Sequence, residues 1–214
     1  MKKFCLMVAT AVALFSCDPA KKNPNAEAKK EIDPKILISC EGIGEVKLTD
    51  SREDLVKKFG DKKVVDHENN LYGVFTTVWY EDPKQINIYW KEKHAPFKTI
   101  KYIEAIKSDA PYMTKDSIQL GQSLRDLVKI NGSISIKFRN ISQVESPGLI
   151  TNFNGGNIEK NNPCFSGLVE QAKLEVIHKD ELKAFQKQEE VNSYDPLLNR
   201  MTFELSAIRI KAKQ

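Results

Sequence analysis

One stretch of this chain occurs twice, and that repetition constrains the fold more than any other feature. Residues 46–60 return without a gap as residues 118–132: Leu48, Ser51, Asp54, Leu55, Val56, Lys57 and Gly60 reappear as Leu120, Ser123, Asp126, Leu127, Val128, Lys129 and Gly132. The retained positions are those that a short helix needs. A serine hydroxyl accepts from the free amides of the first turn, and an aspartate three residues later sits near the positive end of the helix dipole. The Leu-Val pair supplies an inward face, and glycine ends the helix by taking backbone angles that other residues avoid. The spacing predicts two helices capped by Ser51 and Ser123, each behind a short lead-in strand, Val46 to Leu48 and Ile118 to Leu120. A duplicated unit of this size stacks its apolar face on its neighbours.

Each helix is succeeded by segments of β character. Val74 to Tyr80, Ile86 to Trp90 and Thr99 to Ile106 are rich in β-branched and aromatic residues and are separated by Asp82-Pro83 and His94-Ala95-Pro96. In the second half, Ile134 to Phe138 and Leu149 to Phe153 precede the turn Asn154-Gly155-Gly156, and Leu168 to Ile177 and Met201 to Ile210 come after it. Lys179 to Val191 carries Leu182, Phe185 and Val191 at helical spacing. The expected class is α+β: two tandem repeats, each a short capped helix packed on a three- to four-stranded antiparallel sheet. Their bounds are residues 41–115 and 116–214, the second with an inserted helix near 179–191.

The N-terminus reads as an address. Met1-Lys2-Lys3 is basic, Phe4 to Phe15 has no charge, and small Ser16 precedes Cys17. Residues 1–16 therefore read as a signal peptide; the apolar stretch is shorter than the roughly 20 residues a membrane-spanning helix needs. Residues 17–40 read as an extended, charged, proline-bearing tether in which Ile36, Leu37 and Ile38 are the first β-like positions.

Two resemblances rest on these residues. Leu14-Phe15-Ser16-Cys17 resembles the lipobox of bacterial lipoproteins, which implies cleavage before Cys17, diacylglycerol on its thiol and an acylated new amine. Two or three acyl chains hold a protein on a bilayer without inserting it. The lead-in strand, capped helix and succeeding strands resemble the small outer-membrane lipoproteins of the SmpA/OmlA (BamE) type, and the tandem arrangement is similar to β-lactamase inhibitor protein and its PepSY-like relatives. Together they imply an outer-membrane, lipid-anchored protein facing the periplasm or the surface.

Composition narrows the partners. The chain has 33 Lys plus Arg against 29 Asp plus Glu, a formal charge of +4, and loss of Lys2 and Lys3 brings the mature protein closer to neutral. Its lysines are interleaved with acids, so the basic footprint of a nucleic-acid binder is missing. Cys5 leaves with the signal peptide, and Cys40 and Cys164 then either form a disulfide or serve as two small buried side chains.

No phosphate-binding loop, dinucleotide fingerprint or nucleophile elbow is present, and no cofactor is expected. Asp66-His67-Glu68, with His94, is the only cluster suggesting metal ligation; it reads first as a solvated turn, so no metal is expected. Cys164 and His178 lack a third orienting residue for nucleophilic catalysis. The remaining candidate is a surface. If Val74, Thr76, Val78, Ile86, Ile88 and Trp90 face the helix, strand alternation sends Phe75, Thr77, Trp79, Asn87 and Tyr89 to the other side. Phe75, Trp79 and Tyr89 are then the candidate partner-binding residues, unless the second repeat or Lys91 to Phe97 covers them. The expected function is non-enzymatic binding of a protein or envelope partner. The alternative is small-molecule binding or an envelope hydrolase using a cleft between the repeats, with His67, His94 or Cys164 in it.

If Cys17 is the anchor, Cys17→Ser releases the protein from membranes in a carbonate wash, whereas the wild-type chain stays with them.

Overall fold

The computed structural model describes residues 31–69, 73–173 and 175–212. Segment 1–16, Cys17 and the tether up to residue 30 lie outside the described residues. The chain is already ordered within residues 17–40: β1 (Leu37–Ser39) pairs antiparallel with β2 (Gly42–Ile43), which pairs with β3 (Val46–Lys47). The tether therefore stops short of residue 40, because Ile38, 1% exposed, joins the core.

Helix α1 (Arg52–Phe59) starts where the repeat predicts. The Ser51 hydroxyl accepts from the Asp54 amide at 3.1 Å and the Asp54 carboxylate accepts from the Ser51 amide at 3.0 Å, satisfying two amides that the helix cannot. Leu55 is fully buried, and Gly60, with φ +84°, turns the chain out. After a 3-10 turn at Asp61–Lys63 come β4 (Val64–Asn69), β5 (Gly73–Val78), β6 (Ile86–Trp90) and β7 (Ile100–Ala105), an antiparallel meander. Within this meander, β4 is absent from the sequence-based expectation. Its Asp66-His67-Glu68 is a strand and not a turn, and its acids suit an edge position that discourages further pairing.

β8 (Met113–Thr114) runs parallel to β1. The expected lead-in strand at Ile118 to Leu120 does not form. Ile118 is buried in a tight turn, its amide donating to Thr114 Oγ1 at 3.1 Å. Helix α2 (Leu124–Ile130) repeats the cap, with the Ser123 hydroxyl accepting from the Asp126 amide, and buries Leu124, Leu127 and Val128. Beyond it come β9 (Lys137–Arg139), β10 (Ile150–Asn152), α3 (Asn157–Asn161), β11 (Phe165–Gln171), α4 (Lys179–Gln186), β12 (Glu190–Asn192) and β13 (Phe203–Lys211). The helix expected at 179–191 ends at Gln186. Asn140 Nδ2 donates to the Phe185 carbonyl and Ser142 Oγ to the Gln186 carbonyl, capping it. Fully buried Val191 then enters β12.

The class is α+β. The strands of the two halves do not stay apart: β7 pairs with β13, so one six-stranded sheet runs in the order β11-β13-β7-β6-β5-β4, beside a four-stranded sheet β3-β2-β1-β8 and a three-stranded sheet β10-β9-β12. From Ile32 on, the chain is one compact unit. Two fully buried asparagines, Asn131 and Asn140, pin the second half. Asn131 donates to the Ile134 and Phe153 carbonyls and accepts from the Ile158 amide. A Cβ at Gly156 would run into that amide side chain, which accounts for the second glycine of Asn154-Gly155-Gly156.

Cys40 and Cys164 form a disulfide with Cα atoms 5.4 Å apart and a sequence separation of 124. A loop of that length removes enough unfolded-state entropy for roughly 4 to 5 kcal/mol. Reduction should lower the melting temperature of the chain by about 10 °C, read by circular dichroism with and without reductant.

An aromatic sheet face and its cleft

The six-stranded sheet has two unlike faces. On the helix side, Leu55 of α1 shares one cluster with Val64, Val78, Ile86, Ile88 and Trp90. Polar groups there are paired: Trp90 Nε1 donates to Thr76 Oγ1 at 2.8 Å, Thr76 Oγ1 donates to Asp66 at 2.7 Å, and Arg52 Nε donates to the same carboxylate at 2.7 Å.

The opposite face carries a row of rings. His67 pairs in register with Phe75, Phe75 with Tyr89 and Tyr89 with Tyr102. Their ring centroids are 5.0, 5.4 and 4.4 Å apart in stacked geometry. The Arg209 guanidinium lies 4.1 Å over Tyr102, and Tyr80 tilts against His67 at 5.0 Å. Phe75, Tyr89 and Tyr102 are not part of the main core cluster. Within the row Tyr89 and Tyr102 are 9% exposed, Phe75 is half-buried, and Tyr80 at its outer end is 52% exposed.

Beside the rings runs a polar row. Thr77 Oγ1 and Gln85 Nε2 donate to Asn87 Oδ1 at 3.3 and 3.0 Å. Arg209 donates through Nε and Nη2 to Glu104 Oε1 at 3.0 and 2.7 Å, and the Tyr89 hydroxyl donates to Glu104 Oε2 at 3.4 Å. The Arg209 and Glu104 side chains are only 12% and 7% exposed, so this is a buried ion pair.

Of the three residues expected to bind a partner, Phe75 and Tyr89 meet on this face and Trp79 does not. Trp79 lies just past the end of β5 with φ +57°, which breaks the strand alternation, and its ring packs on Phe59 of α1 at 4.6 Å. Within Lys91 to Phe97, the phenyl ring is turned away from the aromatic face. Phe97 stacks on Trp90 at 5.6 Å and its carbonyl accepts from the Arg52 amide, both on the helix side. Tyr102, Glu104 and Arg209 are members of the face that sequence reasoning does not single out. Alternation in Ile100 to Ala105 does place Tyr102 and Glu104 on one face, but nothing local announces a partner for Glu104 at a separation of 105 residues.

Past Tyr102 the face opens into a cleft of about 980 Å³ between the two halves, walled by Lys91, Lys101 and Tyr102 on one side and by β10, Phe165 and Lys211 on the other. Neither His67 nor His94 lines it. Cys164 does, but its sulfur is in the disulfide and holds no thiol for nucleophilic attack. Asp66 and His67, adjacent on a strand, point to opposite faces, and among the described residues no three His, Cys, Asp or Glu side chains are grouped to hold a metal. Nor is any described helix long and apolar enough to cross a membrane. No family model matches the chain, and no curated protein or solved structure matches it.

Removing one partner of the buried pair strands the other charge. Arg209→Met should cost about 3 to 5 kcal/mol in urea unfolding, and the double variant Glu104→Leu/Arg209→Met should regain most of that loss.

Proposed function

We propose that this chain is a lipid-anchored, non-enzymatic protein of the bacterial outer membrane, facing the periplasm or the surface, that binds a protein or envelope partner through its aromatic sheet face. The observation that carries the reading is the stacked row His67, Phe75, Tyr89 and Tyr102, which lies on the sheet face opposite α1 and ends in exposed Tyr80. The row is open toward β4, at half-buried His67 and Phe75 and exposed Tyr80, and rings held by stacking have little rotamer freedom left to lose, the property that makes aromatics binding hot spots. The anchor rests on the lipobox-like segment ending at Cys17. We also read α1 and α2 as copies of one duplicated unit, in the manner of the BamE-type lipoproteins and β-lactamase inhibitor protein; their shared Ser-Asp caps support this.

A second reading places a small molecule in the cleft between the halves. The support is that both halves line it and that it is of the size that ligand pockets have.

Crosslinking and mass spectrometry on cells separates the two. Phe75→Ala/Tyr80→Ala should lose a specific crosslinked partner that wild type and Trp79→Phe retain. An identical set of crosslinks in all three chains overturns the sheet-face reading.

A further inference from the structure

The polar groups of the cleft are satisfied on one side of the charge balance only. Thr151 Oγ1 donates to Glu190, Asn152 Oδ1 accepts from the Asn154 amide, and Ser166 Oγ donates to the Ile150 carbonyl. The one acid of the lining, Glu159, accepts from the Gly155 amide at 2.9 Å and keeps its single negative charge, and Arg209 is closed by Glu104. The excess is positive charge. Lys91, Lys101 and Lys211 are exposed, line the cleft, and form no ion pair among the described residues.

Sheet pairing brings these lysines together. Lys91 directly succeeds β6, Lys101 lies in β7, and Lys211, the last residue of β13, pairs in register with Tyr102. The Lys91 amide donates to the Thr99 carbonyl, and the Ala212 amide to the Lys101 carbonyl at 3.4 Å. The Lys211 ammonium is held below the ordinary lysine range, first by partial desolvation and then by the charge of Arg209. Three ammonium groups against a single carboxylate leave the lining with a net positive charge for an anion from outside the chain to meet.

The type of cation tells which anion. A planar carboxylate is matched by the fork of an arginine, and the only arginine here is already taken. Several mobile ammonium groups, acting as point charges, suit a tetrahedral dianion. We propose that the cleft binds a phosphate-bearing ligand through Lys91, Lys101 and Lys211, either a free phosphorylated molecule or a phospholipid headgroup. This rests on the second reading above and names its ligand class; the cleft volume of about 980 Å³ leaves room for more than the bare phosphate.

The test is lysine footprinting by reductive methylation on the full, lipid-anchored chain in phosphatidylcholine vesicles. Inorganic pyrophosphate is added in one arm, and equal parts of phosphatidylcholine and phosphatidic acid form the vesicles in another. Lys91, Lys101 and Lys211 should be protected while Lys62 and Lys183 label as before. Protection by pyrophosphate identifies a soluble phosphate as sufficient; protection only by phosphatidic acid identifies the headgroup. In parallel, Lys101→Gln/Lys211→Gln should weaken binding of whichever phosphate protects the lysines, read by phosphorus NMR line broadening for pyrophosphate or by loss of Lys91 protection on phosphatidic-acid vesicles, by about tenfold or more without changing the far-ultraviolet circular dichroism. Equal labelling in every arm, or unchanged binding by the variant, overturns the proposal. A neutral molecule co-purifying in the cleft by native mass spectrometry also overturns it, yet leaves the small-molecule reading standing.

Discussion

The antiparallel pairing of β7 with β13 is the contact on which the rest of this architecture depends. It joins Ile103 to Ile210 and Glu104 to Arg209, residues more than a hundred positions apart, and makes one six-stranded sheet out of strands from both halves of the chain. Closing so long a loop carries a large entropic cost. Two features offset it: Ile103, Ile208 and Ile210 are buried on the helix side, and the disulfide from Cys40 to Cys164 holds the end of β1 near the start of β11; on the other face the Glu104–Arg209 pair is doubly hydrogen-bonded. The ion pair adds specificity of register more than net stability, since desolvating both charges consumes most of their attraction.

The ring row and the lysine-lined cleft meet at Tyr102, on the face opposite α1. The ring row would end at Tyr102 as an ordinary edge of a four-stranded meander if β13 were not beside it. With β13 in place, Arg209 lies over Tyr102, and Lys211 comes beside Tyr102 and Lys101. The rings and the lysines are thus neighbouring parts of one surface, apolar toward β4 and cationic toward β11. A partner bound on the rings and an anion bound in the cleft would share Tyr102 as their boundary.

Much of this is legible in local chemistry. The two helices are readable because a cap, an aspartate three residues on and a terminating glycine act within one or two turns. The strands β5, β6 and β7 are readable because β-branched and aromatic residues alternate there, and the same alternation puts Phe75 and Tyr89 on one face. β4 escapes local reading because Val64 to Asn69 is polar except at its start, and its strand state comes from pairing with β5. Trp79 departs from its expected face because alternation does not extend one residue beyond the strand, where a positive φ reverses the side chain's direction. Helix α4 is shorter than its apolar spacing implies because Asn140 and Ser142, distant in sequence, cap it at Gln186.

The division arises from the range of the forces. By itself the sequence determined the capped helices, the aromatic alternation and the α+β class, all of them set by neighbours within a few residues. Tertiary structure alone decided that Cys40 meets Cys164, that the two halves share a sheet, that Arg209 closes on Glu104, and that three scattered lysines line one cleft. Those contacts depend on which strand lies beside which, and strand order is settled by burial and backbone pairing across the whole chain.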